Sequence, residues 1–177
     1  IKEGFEYPNI ILDVEYTSGI TGRNLLIMKT HDAAIIANLM MGGDGKVSTP
    51  DLSDIDVSAV QEAMNQMIGS AATSMATMLN REVNISPPNS KIWREIKEKL
   101  SDNIPEDEPI VKVCFDLTIE GLLQSNLMQI LPVKTAKKIV SIMIGEEIIE
   151  VEEEKSIVER EDRETLSERE TFKEESD

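Results

Sequence analysis

The sequence predicts an α+β domain in which antiparallel hairpins form a sheet and long helices pack against it. Segments rich in β-branched and apolar residues come in pairs joined by glycine turns, as hairpins require. Between the two pairs, apolar residues recur at helical spacing over a long stretch. Hydrophobic residues make up 40% of the 177 residues but aromatics only 3%, so the core must consist of aliphatic side chains and methionines.

The first hairpin is predicted over residues 9–17 and 24–30, with glycines in the turn that joins them. Thr30 or Asp32 can cap the helix that follows. The Gly-Gly-Asp-Gly run at residues 42–45 should end this helix, because no residue in the run favours helix continuation.

The second half of the chain is predicted as a short strand, a helix, a second hairpin and a closing helix. Trp93 is expected to pack one face of its helix, and Cys114 to be a small core residue of the second hairpin. The predicted bounds are 83–85 for the short strand, 91–100 for the helix, 110–119 and 126–133 for the hairpin, and 134–144 for the closing helix.

The charge of the chain excludes several classes of function. Acidic residues outnumber basic ones 34 to 18, a net charge of −16, so neither nucleic acid nor an anionic membrane surface is an expected partner. No apolar run approaches the roughly 18 residues that a transmembrane segment needs. With one cysteine and one histidine, no zinc cluster is expected, and a reducing, cytoplasmic setting fits best.

The charge is concentrated in residues 146–177, which hold 15 acidic and 5 basic side chains and so carry −10 of the −16. Two interpretations stay open for this tail: a solvated helix with Glu/Lys/Arg pairs, or a disordered tether. The sequence favours an acidic, partly disordered linker over residues 146–177, after a folded body of residues 1–145.

The longest helical pattern, residues 54–79, has two stripes at about 100° per residue. Glu62 and Asn65 stand one turn apart on the second stripe and project side by side. The small residues below them leave room for another surface, although a close helix contact explains them equally well. The first stripe, a predicted core face, comprises Val57, Val60, Met64, Met67, Ala71, Met75 and Met78; the second comprises Ser58, Glu62, Asn65, Gly69, Ala72 and Ala76.

Four residues extend this pattern: Ser58, Glu62 four positions on, Asn65 three further, and Pro88 after a gap of 22 residues. The pattern resembles the signature of the CheC phosphatase family, which has Asp or Ser, Glu, Asn and Pro at this spacing. ExxN alone occurs by chance in many helices, whereas the four-point pattern is much more specific. The surrounding sequence is similar to the FliY branch of the family over about residues 8–145.

The resemblance implies a CheC-like domain with a pseudo-two-fold and two ExxN helices, of which this chain holds one. The first ExxN helix would lie upstream of Ile1, so the domain is expected to be truncated at its N-terminus. The acidic tail is similar to the spacer that precedes a C-terminal rotor domain in this branch.

The resemblance also implies a reaction, hydrolysis of the aspartyl phosphate of phosphorylated CheY, in the cytoplasm at the flagellar basal body. Asn65 is expected to orient the attacking water, because an amide does not titrate, and Glu62 to contact a lysine of CheY. Ser58 and Pro88 are expected to shape the site. The chain itself is expected to bind no cofactor or metal, with Mg²⁺ held by the phosphorylated partner. Further implied partners are the switch proteins FliM and FliG and FliN-like domains.

Two other functions stay open at this point. Gly42, Gly43 and Gly45 lie in a loop that resembles the GGxG loop by which the related FliM middle domain docks on FliG, so the chain could be a structural rotor module. The glycines could equally do no more than end a helix. Alternatively, the chain could bind phosphorylated CheY without hydrolysing it.

Overall fold

The computed structural model describes residues 6–104 and 108–146, which belong to one unit, Ile1–Glu146. The predicted linker lies outside the described residues except for Glu146. The described residues form six strands and three helices in the order β1 Asn9–Ser18, β2 Gly22–Lys29, α1 Thr30–Met40, α2 Asp54–Leu79, β3 Asn84–Ile85, β4 Asn89–Trp93, β5 Ile110–Ile119, β6 Leu123–Pro132 and α3 Val133–Met143.

The strands form one antiparallel sheet in the order β3-β1-β2-β6-β5, and β4 also pairs with β1. Two similar units make up most of it. A hairpin followed by an 11-residue helix occurs as β1-β2-α1 and again as β5-β6-α3, and the two units meet where β2 pairs with β6. The predicted α+β hairpin architecture is confirmed, and its two hairpin-helix units face each other across the centre of the sheet.

One face of the sheet packs against α1 and α2. Alternate residues of β1 and β2 point to this face because successive strand residues point to opposite sides. They meet small and aliphatic residues of the helices, so the core on this side needs no aromatic ring. Its buried members are Ile10, Leu12, Val14, Leu26, Met28, Ala33, Ala37, Val60, Met64, Ile68 and Leu127.

The opposite face of the sheet is covered by the segment that follows β4. Leu100 and Ile104 of this segment pack on a buried cluster that includes Trp93. Asp13 of β1 holds the segment in place: its Oδ2 accepts hydrogen bonds from the Ser101 hydroxyl at 3.0 Å and the Asn103 amide at 3.2 Å. The sheet is therefore shielded on both faces near β1.

The predicted helix over residues 91–100 is wrong. Residues 89–93 form a strand that pairs with β1 from Asn9↔Trp93 to Asp13↔Asn89. Trp93 is fully buried in this strand, its ring stands edge-on to Tyr7, and its indole N–H donates to the Glu98 carbonyl at 3.2 Å. Pairing with the open edge of β1 and burial of the indole override the local helical pattern.

The predicted core position of Cys114 is also wrong, because Cys114 is exposed. It lies on β5, the outermost strand of the sheet, and most of that strand is only partly covered. Alternation along a strand indicates which residues share a face, but whether that face is covered depends on the strand's place in the sheet.

Both ends of α2 are closed by local hydrogen bonds. Ser53 and Asp56 form a capping box in which the Ser53 hydroxyl accepts from the Asp56 N–H, while the Asp56 carboxylate accepts from the Ser53 N–H at 2.9 Å. At the other end Asn80 adopts a left-handed conformation with φ of 49°. None of the described helices combines the length and apolarity of a transmembrane span.

Replacing Ser53 by Ala removes the cap of α2 and is expected to lower the free energy of unfolding by about 1 kcal/mol in urea denaturation. Ser74→Ala is the matched control: its exposed hydroxyl lies inside the same helix and donates to the Ser70 carbonyl, and alanine favours a helix interior. Equal losses for the two variants would contradict the assigned role of the cap.

Candidate functional site

The rotation of α2 about its axis decides which side chains face solvent. Its buried residues are Val60, Met64, Ile68 and Ala72, each four positions after the last. Four residues exceed one helical turn, so this line advances about 40° at each step. The predicted core stripe is therefore confirmed at Val57, Val60, Met64 and Met75, which are buried or pack against the core. It is wrong at Met67, Ala71 and Met78, which are exposed.

The same rotation buries the C-terminal part of the second predicted stripe. Ala72 is buried against Tyr16 and Ile20, and Ala76 packs on the edge of that cluster. These two alanines are small because the helix lies close to the sheet, which leaves the second stripe exposed only from Ser58 to Gly69. A Cβ added at Gly69 would meet nothing within 4 Å, so open space remains beside that residue.

Glu62 and Asn65 lie on the uncovered side of α2. Glu62 is exposed and Asn65 is half-buried. The Gln66 amide donates to Glu62 Oε1 at 2.7 Å, which fixes the carboxylate along the helix surface. Ser58 is exposed one turn earlier, and its hydroxyl donates to the Asp54 carbonyl at 2.8 Å. A carboxylate and a carboxamide thus stand together where a docked protein can reach them.

Pro88 is brought against the same part of α2. The Gln61 amide donates to the Pro88 carbonyl at 3.1 Å, and Pro88 itself is buried. Two lengths explain the 22-residue gap between Asn65 and Pro88. Along α2, the distance from Gln61 to Leu79 is about 27 Å at 1.5 Å per residue. The extended chain from Asn80 to Pro88, which runs back along the helix, covers about 26 Å at 3.3 Å per residue. The gap of 22 residues is therefore what returns the chain to the start of the ExxN turn.

The glycine loop has local structural causes. Gly42, with φ of +83°, donates to the Leu39 carbonyl at 3.0 Å, and Gly43 donates to the Asn38 carbonyl at 2.8 Å, which is a Schellman ending for α1. The Gly45 N–H donates to Asn38 Oδ1 at 2.7 Å. A Cβ on Gly43 would come within 2.2 Å of that same oxygen, so a side chain there would displace the Asn38 amide from its hydrogen bond to Gly45.

The loop also carries an exposed ion pair. The Lys46 backbone N–H donates to Asp44 Oδ1 at 3.1 Å, and the Lys46 ammonium lies 3.2 Å from Asp44 Oδ2. These two interactions, the backbone hydrogen bond first, hold the pKa of Asp44 below its ordinary value. Beside the loop, Lys46, Asn38 and Asp56 line one pocket at the N-terminal end of α2. Within residues 6–104 and 108–146, no group of three or more His, Cys, Asp or Glu side chains is arranged to hold a metal ion.

Two residues next to the motif were missed by the sequence analysis. Gln66 lies four positions after Glu62, a spacing that predicts contact on one helix face and that could have identified it. Gln61 contacts Pro88, 27 positions away, and no local pattern predicts that contact.

The fold and the site together define a class, the CheC-like proteins. Residues 56–92, which run from the start of α2 to the end of β4, match the model of the CheC-like family. This segment contains the four residues of the motif and the Gln61 contact that joins two of its parts.

Two relatives show to which branch of this family the chain belongs. The chain is 49% identical over 141 residues to the flagellar motor switch phosphatase FliY of Bacillus subtilis, covering 80% of this chain and 37% of that protein. It matches the crystal structure of Thermotoga maritima FliY at 38% identity, with a TM-score of 0.74, over 82% of this chain and 75% of that one. The chain belongs to the FliY branch of the CheC-like family, and it spans little more than a third of the length of the Bacillus relative.

A more distant match shows how widely the architecture occurs. The FliM middle domain of Vibrio alginolyticus has a TM-score of 0.60 at 13% identity, over 80% of this chain and 75% of that one. At this identity the likeness establishes a common fold and nothing about activity.

Gln61→Leu is expected to lower the free energy of unfolding by about 1–2 kcal/mol, because it removes the partner of a buried carbonyl. Urea denaturation measures the loss, and faster amide exchange around residue 88 should accompany it. Gln66→Leu is the matched control and should change stability little, because its hydrogen bond to Glu62 is exposed. A larger effect of Gln66→Leu than of Gln61→Leu would contradict this assignment.

Proposed function

We propose that this chain hydrolyses the aspartyl phosphate of a phosphorylated CheY-type response regulator at the flagellar motor switch. The supporting observation is that Glu62 and Asn65 stand side by side on the exposed face of a capped helix. The Bacillus relative is called a phosphatase, and our proposal extends that activity to this chain.

Asn65 orients the water molecule that attacks the phosphorus atom. Water forms a bond to phosphorus as the bond from phosphorus to the aspartyl oxygen breaks, which yields inorganic phosphate and a free aspartate, with the water protons passing to phosphate or solvent. A carboxamide can accept from and donate to that water but cannot take its proton, so Asn65 acts by orientation. Among the described residues its side chain has no hydrogen-bond partner that a water would need to displace.

Glu62 carries a negative charge that the phosphoryl group would repel, so its expected partner is a cation of the regulator. Gln66 occupies Oε1, and Oε2 remains available to a lysine ammonium of the regulator. Such a contact sets the register of the two proteins and places Asn65 over the phosphoryl group. Positioning of this kind supplies much of the catalysis in phosphoryl transfer.

The remaining residues shape the surface. Ser58 adds a hydroxyl oxygen one turn from Glu62, and Pro88 anchors the chain that passes beside the motif. The regulator holds the Mg²⁺ of the reaction, which offsets the charge of the phosphoryl group. The protein that carries this chain would act in the cytoplasm, at the cytoplasmic face of the basal body.

Asn65→Ala is expected to slow the stimulated release of phosphate from phosphorylated CheY by about 10²-fold, because one positioned group is lost. Phosphate release under single-turnover conditions measures the rate, and circular dichroism verifies the fold. The matched control is Asn126→Ala, which also shortens an asparagine to alanine. Asn126 is exposed on the sheet face opposite α2, so this change should leave the rate unchanged.

Equal rates for Asn65→Ala and wild type would contradict the proposed role. A wild-type protein that binds CheY only when CheY is phosphorylated, yet does not shorten the lifetime of the phosphate, would support the non-hydrolytic binder instead.

A second function, docking on a rotor partner through the loop at residues 42–45, is favoured by the surface beside that loop. Met40 and Met41 are 45% and 52% exposed at the end of α1, directly before the exposed Gly42, Gly43 and Asp44. Exposed methionines next to a glycine loop give an adaptable apolar surface for a partner such as FliG.

Met41→Glu is expected to weaken capture of FliG at least about tenfold, because it places a charge in the apolar contact. A pulldown with titrated FliG measures it, and Met78→Glu, an exposed methionine of α2, is the matched control that should bind as wild type does. A change at Gly43 is unsuitable because it displaces Asn38. Unchanged capture by Met41→Glu would exclude this docking surface.

A further inference from the structure

Ile55 is an apolar side chain in the first turn of α2 that the fold does not use. Among the large apolar residues that the structure describes, it is the most exposed, at 69%. The hydrophobic contact that closes this end of the helix is made by its neighbours, because Leu52 before the cap and Val57 after it both pack against the core. Isoleucine is also a weaker helix former than alanine or lysine. Neither packing nor helix propensity therefore accounts for Ile55.

Helical geometry places Ile55 on the same face of α2 as Glu62. The two residues are seven positions apart, which at 100° per residue is about 20° short of two full turns, and the rise between them is about 10 Å. Ser58 lies between them and is exposed as well. A protein surface that docks along this face and reaches Glu62 therefore lies over Ile55 too.

Ile55 is also remote from the place that a second ExxN helix would take. α1 and α3 follow the two central strands, β2 and β6, whereas α2 lies toward one end of the sheet, in contact with α1, β3 and β4. A counterpart of α2 in the other hairpin-helix unit would, by the pseudo-two-fold, lie beyond α3, over β5 at the opposite end of the sheet. Such a helix leaves the first turn of α2 uncovered.

The charge of α2 limits what can dock along this face. α2 contains Asp54, Asp56 and Glu62 and no lysine or arginine, and Asp54 is exposed beside Ile55. A second copy of this helix would bring carboxylates together, which disfavours self-association through this face. The face fits a partner that presents a cation at Glu62 and an apolar side chain about 10 Å away, opposite Ile55.

We propose that Ile55 is a docking residue that contacts an apolar side chain of the phosphorylated CheY-type regulator while Glu62 contacts its lysine. This role rests on the proposed function and adds a second point of contact to it. One ion pair leaves the regulator free to turn about that contact, whereas two contacts about 10 Å apart fix its direction along α2. Because Ile55 does not touch the phosphoryl group, its loss weakens binding and leaves the reaction of the bound regulator unchanged.

Ile55→Ala tests the docking role, because alanine is the best helix former and keeps α2 intact. With the full-length protein, phosphate release at increasing concentrations of phosphorylated CheY should show KM raised about tenfold and kcat unchanged. Ile55→Leu keeps an apolar side chain of similar volume and should stay within about twofold of wild type. The matched control is Ile96→Ala: Ile96 is 45% exposed in the segment that follows β4, and its loss should change neither constant.

Binding of CheY that carries beryllium trifluoride separates the docking role from hydrolysis, because no phosphate is released in that measurement. A Kd about tenfold weaker for Ile55→Ala supports the docking role even when wild type releases no phosphate, a result that contradicts only the proposed hydrolysis. Unchanged KM and Kd in Ile55→Ala, with hydrolysis intact, would overturn the docking role and leave the proposed function standing. A wild-type protein that does not bind CheY at all would overturn both.

A photo-cross-link identifies what lies over Ile55. Benzoylphenylalanine in place of Ile55 should cross-link to CheY that carries beryllium trifluoride, at a peptide with an apolar residue, whereas the same group in place of Ile96 should not. A cross-link from position 55 to a second copy of this chain, with none to CheY, would overturn the proposal and make this face a self-association surface.

Discussion

The line of residues that α2 buries against the sheet is the constraint on which the candidate site depends. Val60, Met64, Ile68 and Ala72 leave water together, and each large aliphatic side chain so buried contributes about 1.5–3 kcal/mol. A rotation of α2 by about 100°, one residue, would expose part of this line and turn Glu62 toward the sheet. Burial of an unpaired carboxylate is costly, so apolar burial and charge exposure select the same rotation.

α2 is held at both of its ends and near its second turn. The capping box at Ser53 and the left-handed Asn80 close the helix at both ends, and the Gln61 hydrogen bond ties its second turn to Pro88. The 22-residue gap in the motif therefore has a physical meaning, since it is the length at which an extended return meets the helix again. A group that works by orientation needs such support, because small displacements are costly in rate.

The sequence was sufficient for features that depend on local chemistry. α2 is found at the predicted residues 54–79, because its caps and its lack of breakers are local, and the predicted placement of Glu62 and Asn65 one turn apart on its uncovered side is found as well. Features that depend on distant partners could not be predicted in this way. Residues 91–100 form no helix because β1 offers an edge, Cys114 is exposed because β5 is outermost, and Gln61 acquires its role from a proline 27 positions away.

In the proposed function, the face of α2 that carries Glu62 and Asn65 receives the phosphorylated regulator. A crystal structure of the complex with CheY, its aspartate carrying beryllium trifluoride in place of the phosphoryl group, tests it most directly. In that complex we expect the Asn65 carboxamide to contact, by a hydrogen bond, a water in line with the beryllium, and we expect Glu62 to contact a lysine of CheY. A complex in which CheY binds elsewhere and leaves this face of α2 in solvent would contradict it.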